Sequence, residues 1–164
     1  MSVTDELVSN AQSYEQSFDA GDLPLPPAKR VAIVACMDAR LNPYGLLGLQ
    51  EGDAHVIRNA GGVVTDDEIR SLSISQRLLG TEEIILIHHT DCGMLTFTND
   101  QLRDKLKSET GSDASEIDFL PFPDLDQSVR DDVKRIKDSP YVDKDVSVSG
   151  FVYDVNTGRL RRIA

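Results

Sequence analysis

The chain has 164 residues, a length that suits one domain with its own hydrophobic core. Its 28 acidic residues outnumber its 17 basic ones, and the resulting net charge of −11 argues against non-specific binding to nucleic acids or anionic membranes. No run of about 18 apolar residues is present, so no transmembrane helix is expected. The acidic N-terminus lacks the apolar core of a signal peptide. We therefore expect a cytoplasmic protein whose two cysteines are reduced, metal-bound or catalytic rather than disulfide-bonded.

The first 28 residues are predicted to form a helix and a proline-rich arm. Apolar side chains recur at spacings of four, three and four residues, which predicts an amphipathic helix over residues 4–18 with Thr4 as its N-cap. The apolar stripe consists of Leu7, Ala11, Tyr14 and Phe18. Prolines in residues 23–27 disfavour helix and predict an extended linker. Because this helix stands apart from the main pattern, we expect its stripe to pack against a partner subunit.

The rest of the chain alternates between apolar runs typical of strands and amphipathic stretches typical of helices. Strands are predicted at residues 31–35, 54–58, 84–88 and 146–152, with a short final strand after the turn at 156–158. Helices are predicted from the capping box at 65–68 to Leu79, from a second capping box at 98–101, and from Leu125 onward until Pro140, with a loop over 108–123. Taking 1–164 as a single domain, this order predicts an α/β fold: a mostly parallel central sheet of four to five strands flanked by helices.

Both cysteines lie just past the ends of predicted buried strands. Cys36 follows the run at 31–35, and the run at 84–87 leads into His89 and Cys92. In open α/β sheets, sites form beyond the carboxyl ends of strands, so neighbouring strands would bring these side chains together as a Cys-His-Cys cluster. Two thiolates and an imidazole are typical of open catalytic zinc sites, which keep a fourth position for water, and they favour zinc over magnesium or calcium. A disulfide is the alternative, which a reducing compartment disfavours.

Asp38 and Arg40 follow the first cysteine at intervals of two residues. In an extended segment their side chains share one side, where a guanidinium keeps a carboxylate ionised and fixed in direction. Asp38 can then accept a hydrogen bond from a zinc-bound water, or it can turn inward as a conditional fourth ligand that closes the site. The plainer interpretation is a surface ion pair of little energetic value.

The other polar residues near these strands have structural interpretations. His88 points to the opposite face from His89 if the strand continues, so we expect it to be structural. His55 is expected to be a hydrogen-bonded core or interface histidine. Arg58 and Asn59 are expected to brace loops or an interface near the site.

Three segments together resemble the β-class carbonic anhydrases, and most of all their short, mycobacterial-type members. These segments are CMDAR at 36–40, RNAG at 58–61 and HTDCG at 89–93. The resemblance extends to residues 150–154 and 157–158 and so spans roughly residues 30–160. It is specific because that family pairs a Cys-x-Asp-x-Arg motif with a His-x-x-Cys-Gly motif, separated much as they are here.

The resemblance implies that Cys36, His89 and Cys92 bind Zn2+ and that Asp38 and Arg40 form the catalytic dyad. The reaction implied is reversible hydration of carbon dioxide to bicarbonate and a proton by a zinc-bound hydroxide. It also implies self-association as a dimer or tetramer, with the N-terminal helix on the neighbouring subunit. Two alternatives stay open: a hydrolase of carbon disulfide or carbonyl sulfide on the same zinc site, and a non-catalytic zinc-binding or redox module.

Overall fold

A five-stranded sheet forms the centre of the computed structural model, which describes residues 2–164. The strands are β1 (Val31–Cys36), β2 (Ala54–Asn59), β3 (Glu83–His89), β4 (Ser147–Tyr153) and β5 (Leu160–Arg162). They lie in the order β2-β1-β3-β4-β5; the first four are parallel, and β5 pairs antiparallel with β4. The predicted α/β fold with a mostly parallel sheet is confirmed.

The chain order reverses between β1 and β3. From β1 the chain crosses to β2 on one side, and it then returns to β3 on the other side of β1. The register pairs Cys36 with Asn59 of β2, while Ala35 pairs with Ile87 of β3. The carboxyl ends of β1 and β3 therefore lie side by side at the switch point, where open α/β sheets form their sites.

Two long helices pack on one face of the sheet, and alternate residues of β1 contribute to opposite layers. The helices are α1 (Val3–Ser17), α2 (Pro43–Leu47), α3 (Asp66–Leu79), α4 (Asn99–Thr110) and α5 (Leu125–Asp138). All six residues of β1 are buried, which explains its uninterrupted apolar sequence. Ala32 and Val34 pack with α3 and α5, whereas Ile33 and Ala35 pack on the face that carries both cysteines.

The predicted capping boxes of α3 and α4 are present, and Gly80 ends α3 in the left-handed conformation with φ of 74°. The prediction for α1 was wrong by two residues. Ser2, not Thr4, is its N-cap: the Ser2 hydroxyl accepts from the Asp5 N–H, while the Asp5 carboxylate accepts from the Ser2 N–H. The predicted loop at 108–123 also begins later, because α4 continues to Thr110.

The N-terminal helix barely contacts the body of the described chain. None of the residues of α1 is buried among residues 2–164, and Leu7 is 62% exposed. A hydrogen bond of 2.6 Å from the Tyr14 hydroxyl to Glu51 Oε1 connects α1 to the body. Packing of this arm on a partner subunit stays a prediction. Among residues 2–164, no helix has both the length and the apolar character that crossing a membrane requires.

Candidate active site

Cys36, His89 and Cys92 converge at the carboxyl edge of the sheet. Cys36 is the last residue of β1 and His89 the last residue of β3, and a tight turn brings Cys92 back beside them. One ligand atom from each side chain lies within 4.8 Å of the other two. All three residues are buried. The structure therefore brings together the three residues that the sequence predicted as metal ligands.

The ring of His89 is oriented for metal binding. Its Nδ1 lies 2.8 Å from the Thr90 carbonyl oxygen, which selects the tautomer with the proton on Nδ1. Its Nε2 is buried and has no hydrogen-bond partner among the described residues. A buried polar atom without a partner is costly, and here it belongs to a cluster with two sulfur atoms. This donor set fits a zinc ion.

The electrostatics of the cluster suit a cation. A hydrogen bond with Cys92, assisted by His89, holds the pKa of Cys36 well below its usual range. The same hydrogen bond, together with burial, raises the pKa of Cys92. Burial alone would lower the pKa of His89, but its interactions with Cys36, Thr90 and Asp38 outweigh that effect and raise it. The two sulfurs therefore do not both carry a negative charge without a cation, and the raised pKa of His89 shows that positive charge is favoured at this place.

Asp38 and Arg40 are joined by three hydrogen bonds. Arg40 Nε donates to Asp38 Oδ1 at 3.0 Å, Nη2 donates to Oδ2 at 2.8 Å, and the Arg40 backbone N–H donates to Oδ1 at 2.9 Å. The segment is a turn, not the extended stretch that the sequence suggested, because the Leu41 N–H folds back onto the Asp38 carbonyl. The hydrogen bonds from Arg40 hold the pKa of Asp38 well below its usual range. Asp38 Oδ2 lies 3.7 Å from His89 Nε2, so the carboxylate borders the cluster.

A cavity of about 300 Å³ opens onto the cluster. Besides Cys36, Asp38, His89 and Cys92, it is lined by Met37, Ala60, Gly61, Gly93, Met94 and Phe97. Apart from the cluster and Asp38, the side chains on this lining are apolar or absent. The cavity thus suits a small molecule with little polarity, presented to three potential ligands and one carboxylate.

Comparison with known proteins identifies the family. A family model described as carbonic anhydrase matches residues 31–118. Beta-carbonic anhydrase 1 of Mycobacterium tuberculosis is 55% identical over 99% of both chains. The chain belongs to the β-carbonic anhydrase family. A crystal structure of carbonic anhydrase from Streptococcus mutans superimposes on this β-carbonic anhydrase fold with a TM-score of 0.96 and 51% identity, covering 100% of this chain and 99% of that one.

Relatives with another activity also match. A carbon disulfide hydrolase of Saccharolobus solfataricus is 37% identical, covering 96% of this chain and 87% of its own. Proteins with two different names, carbonic anhydrase and carbon disulfide hydrolase, therefore match this chain over most of its length. Beta-carbonic anhydrase 1 of Mycobacterium tuberculosis is thus more similar to this chain, at 55% identity, than the carbon disulfide hydrolases, which are 33% to 38% identical.

Arg58 braces the loop that carries Asp38 in this β-carbonic anhydrase. Its guanidinium donates to the backbone carbonyls of Cys36, Asp38 and Leu41 at 2.7 to 3.0 Å. The predicted bracing role agrees with these contacts. Asn59 holds the next turn through a 2.7 Å bond from its Nδ2 to the Val63 carbonyl.

His88 lies on the other face of β3 and is fully buried, as the alternation along the strand predicts. Its Nδ1 is 2.8 Å from Ser128 Oγ, and its Nε2 is 3.1 Å from the Gly62 carbonyl and 3.2 Å from Asp132 Oδ2. Through Gly62, His88 anchors the turn that forms one wall of the cavity. His55, the third histidine, makes a 2.6 Å contact with Ser75 Oγ and also has a structural partner.

The structure gives two residues near the site contacts that the sequence reasoning did not assign: Gly62, which was predicted only as a turn glycine, and Asp91. Gly62 has φ of 68°, and a Cβ on it would lie 2.7 Å from the Cys36 backbone nitrogen. Asp91 accepts a 2.7 Å hydrogen bond at Oδ2 from Arg40 Nη1. The position of Asp91 inside the His-x-x-Cys motif was the available signal, but nothing in the sequence indicated that its side chain meets Arg40.

Proposed function

We propose that this protein catalyses the reversible hydration of carbon dioxide to bicarbonate and a proton at a zinc ion held by Cys36, His89 and Cys92. The observation that carries the proposal is the buried His89 Nε2, which lacks a partner among the described residues and belongs to a cluster with two cysteines whose ligand atoms all lie within 4.8 Å of one another. The similarity to named β-carbonic anhydrases supports carbon dioxide as the substrate.

Each residue of the site has its own role in the proposed reaction. When bound, zinc acts as a Lewis acid that makes a coordinated water acidic near neutral pH. His89 is kept in the correct tautomer by the Thr90 carbonyl. Asp38 stays ionised because Arg40 lowers its pKa, so it acts as a hydrogen-bond acceptor that orients the attacking water. The apolar lining around Met94 and Phe97 binds the substrate and limits the access of bulk water.

Self-association and a cytoplasmic location belong to the same proposal. The apolar stripe of α1 is exposed in a single chain, which supports a dimer or tetramer in which this stripe is covered. A reducing compartment keeps both thiols available as ligands. No nucleic acid or membrane partner is expected for a chain with a net charge of −11.

Hydrolysis of carbon disulfide is the second candidate. Its support is the group of curated relatives of that name at 33% to 38% identity, together with a cavity whose lining does not select for an oxygen-containing substrate. The non-catalytic alternative, in which Asp38 permanently fills the fourth position, is disfavoured because three hydrogen bonds from Arg40 hold the carboxylate.

The test compares the two substrates on one zinc-replete preparation. Stopped-flow carbon dioxide hydration between about pH 6.5 and 9 should be rapid and should rise with pH. Asp38→Ala should keep its zinc and lose about a hundredfold in kcat/KM, because the attacking water is no longer oriented. Efficient release of sulfide from carbon disulfide, with no hydration of carbon dioxide, would support the second candidate. Loss of zinc in Asp38→Ala would support a permanent fourth ligand.

A further inference from the structure

We propose that Asp91 is a positioning residue, which fixes the Arg40 guanidinium and thereby keeps the Asp38 carboxylate out of the metal cluster. The inference rests on the proposed function, since it concerns the same metal site. It adds a third member to the Asp38–Arg40 pair.

The Arg40 guanidinium is held from two sides. Asp38 accepts from Nε and Nη2 along one edge of the guanidinium. Asp91 takes the other end: its Oδ2 accepts from Nη1 at 2.7 Å, and its backbone carbonyl accepts from Nη2 at 3.0 Å. The Arg40 guanidinium thus donates four hydrogen bonds, two to Asp38 and two to Asp91. Because these residues lie on opposite sides of it, both its plane and its position are fixed.

The backbone of Asp91 connects the turn that carries the proposed ligands with Arg40. Asp91 has φ of 54°, in the left-handed region that aspartate and asparagine tolerate better than most residues. Asp91 lies between His89 and Cys92 in the sequence, and its left-handed backbone closes the turn that brings these two proposed ligands together. The same turn directs the Asp91 carboxylate toward Arg40, so the geometry of the ligand turn and the position of Arg40 are coupled through one residue.

The consequence for Asp38 follows from distance. Asp38 Oδ2 lies only 3.7 Å from His89 Nε2, so a small rotation would bring the carboxylate into the cluster as a ligand. The Arg40 side chain is 48% exposed, and a long exposed side chain held from one side alone has many rotamers. Asp91 removes that freedom. The negative charge of Asp91 acts in the opposite direction by repelling Asp38, but the Asp91 side chain is 73% exposed, so solvent weakens this repulsion.

Asp91→Gly and Asp91→Asn test the proposal on the full chain with cobalt in place of zinc. Glycine removes the carboxylate without backbone strain, whereas asparagine keeps an acceptor and the left-handed conformation. The matched control is Asp67→Asn, which removes the charge from another exposed 2.8 Å Asp–Arg pair, on α3 and away from the site. The probe is imidazole at about pH 8.5, which is mostly neutral there, so removal of a charge does not bias its binding. Imidazole competes with Asp38 for the fourth position, and the visible cobalt spectrum reports its binding.

We expect imidazole affinity to fall by about two- to fivefold in Asp91→Gly, by less in Asp91→Asn, and not at all in Asp67→Asn. The kcat/KM for carbon dioxide in the zinc forms should fall in the same order. Unchanged or tighter imidazole binding by both Asp91 variants, with carbon dioxide hydration by the unmodified protein intact, would overturn the inference alone. Failure of the unmodified protein to bind cobalt would overturn both the inference and the proposed metal site.

Discussion

Adjacent histidines at the end of β3 have separate environments because their side chains alternate across the sheet. His89 donates from Nδ1 to the Thr90 carbonyl and presents Nε2 to the cysteines. His88 lies on the other face, where its contacts are with Gly62, Ser128 and Asp132. One histidine is therefore available for a metal, and its neighbour holds the wall of the cavity. Alternation along a strand is a property of the sequence, and it was sufficient to separate the two.

Gly62 and Gly80 are both in the left-handed conformation, but replacing each with alanine should cost different amounts of stability. Gly62→Ala should lower the free energy of unfolding by about 3 kcal/mol or more, because its Cβ would meet backbone atoms of Ala35, Cys36 and Ile87. Gly80→Ala should cost only about 1 kcal/mol, since it adds backbone strain but, apart from residues 79–81, no atom of residues 2–164 lies within 4 Å of the new Cβ.

Urea unfolding and zinc content measure this difference. Gly62→Ala should also bind less than stoichiometric zinc, because the collision displaces the backbone of Cys36. Equal stability losses in the two variants, with full zinc content in both, would contradict the importance of this close contact.

The parallel pairing of strands β1 and β3 positions the site. Their apolar runs were evident in the sequence, and so was the placement of both cysteines past the strand ends. The prediction of a cluster depended on the two strands being neighbours, and the order of the sheet bears this out. The turn after β1 was not predicted, because the bond from the Leu41 N–H to the Asp38 carbonyl leaves no periodic signal in the sequence.

Helix ends were predicted where their signals are strong and missed where they are weak. The Thr65–Glu68 and Thr98–Gln101 boxes and the terminal Gly80 are found as expected. Ser2 was missed because aspartate at the third helical position replaces the usual glutamate of a capping box. Arg40 and Asp91 are 51 residues apart in sequence, and only the folded sheet edge brings them together.

The short strand β5 is connected to α5 by an ion pair with a predictable pH dependence. Arg161 donates to both oxygens of Asp126, at 2.8 and 2.9 Å, and these bonds lower the pKa of Asp126. The pair therefore stabilises the fold above the unfolded-state pKa of about 3.9, and this contribution is lost as the pH falls through the lowered folded-state pKa.

Asp126→Asn should accordingly be less stable than the unmodified protein by about 0.5 to 1 kcal/mol at pH 7. The difference should shrink only at pH values below about 4, as measured by urea unfolding at a series of pH values. Asp104→Asn, which removes an exposed carboxylate in the middle of α4 that forms no ion pair among residues 2–164, is the control and should match the unmodified protein at pH 7. A difference that grows as the pH falls would contradict the assigned role of the pair.

At the scale of the whole molecule, α1 presents an apolar stripe that the single chain leaves exposed. Leu7, Val8, Tyr14 and Phe18 are each more than half exposed. Helices of this kind gain most of their stability from tertiary or quaternary packing rather than from their own propensity. The stripe itself was predictable from its spacing, but the identity and arrangement of whatever covers it require more than one chain.

Leu7→Glu places a charge on this stripe and should shift the protein toward smaller species, as measured by sedimentation velocity across a range of concentrations. Gln16→Glu is the matched control, because it adds the same charge on the opposite side of α1 and should leave the distribution unchanged. An identical distribution for Leu7→Glu and the control would show that the stripe is not a subunit interface.

The most direct test of the account is a zinc titration of the metal-free protein, followed by stopped-flow carbon dioxide hydration. Activity should rise from background to a plateau at one zinc per chain, and Cys92→Ser should stay at background over the same range. Full activity in Cys92→Ser, or one tightly bound zinc per chain without carbon dioxide hydration, would contradict the assignment of Cys36, His89 and Cys92 as the catalytic zinc site.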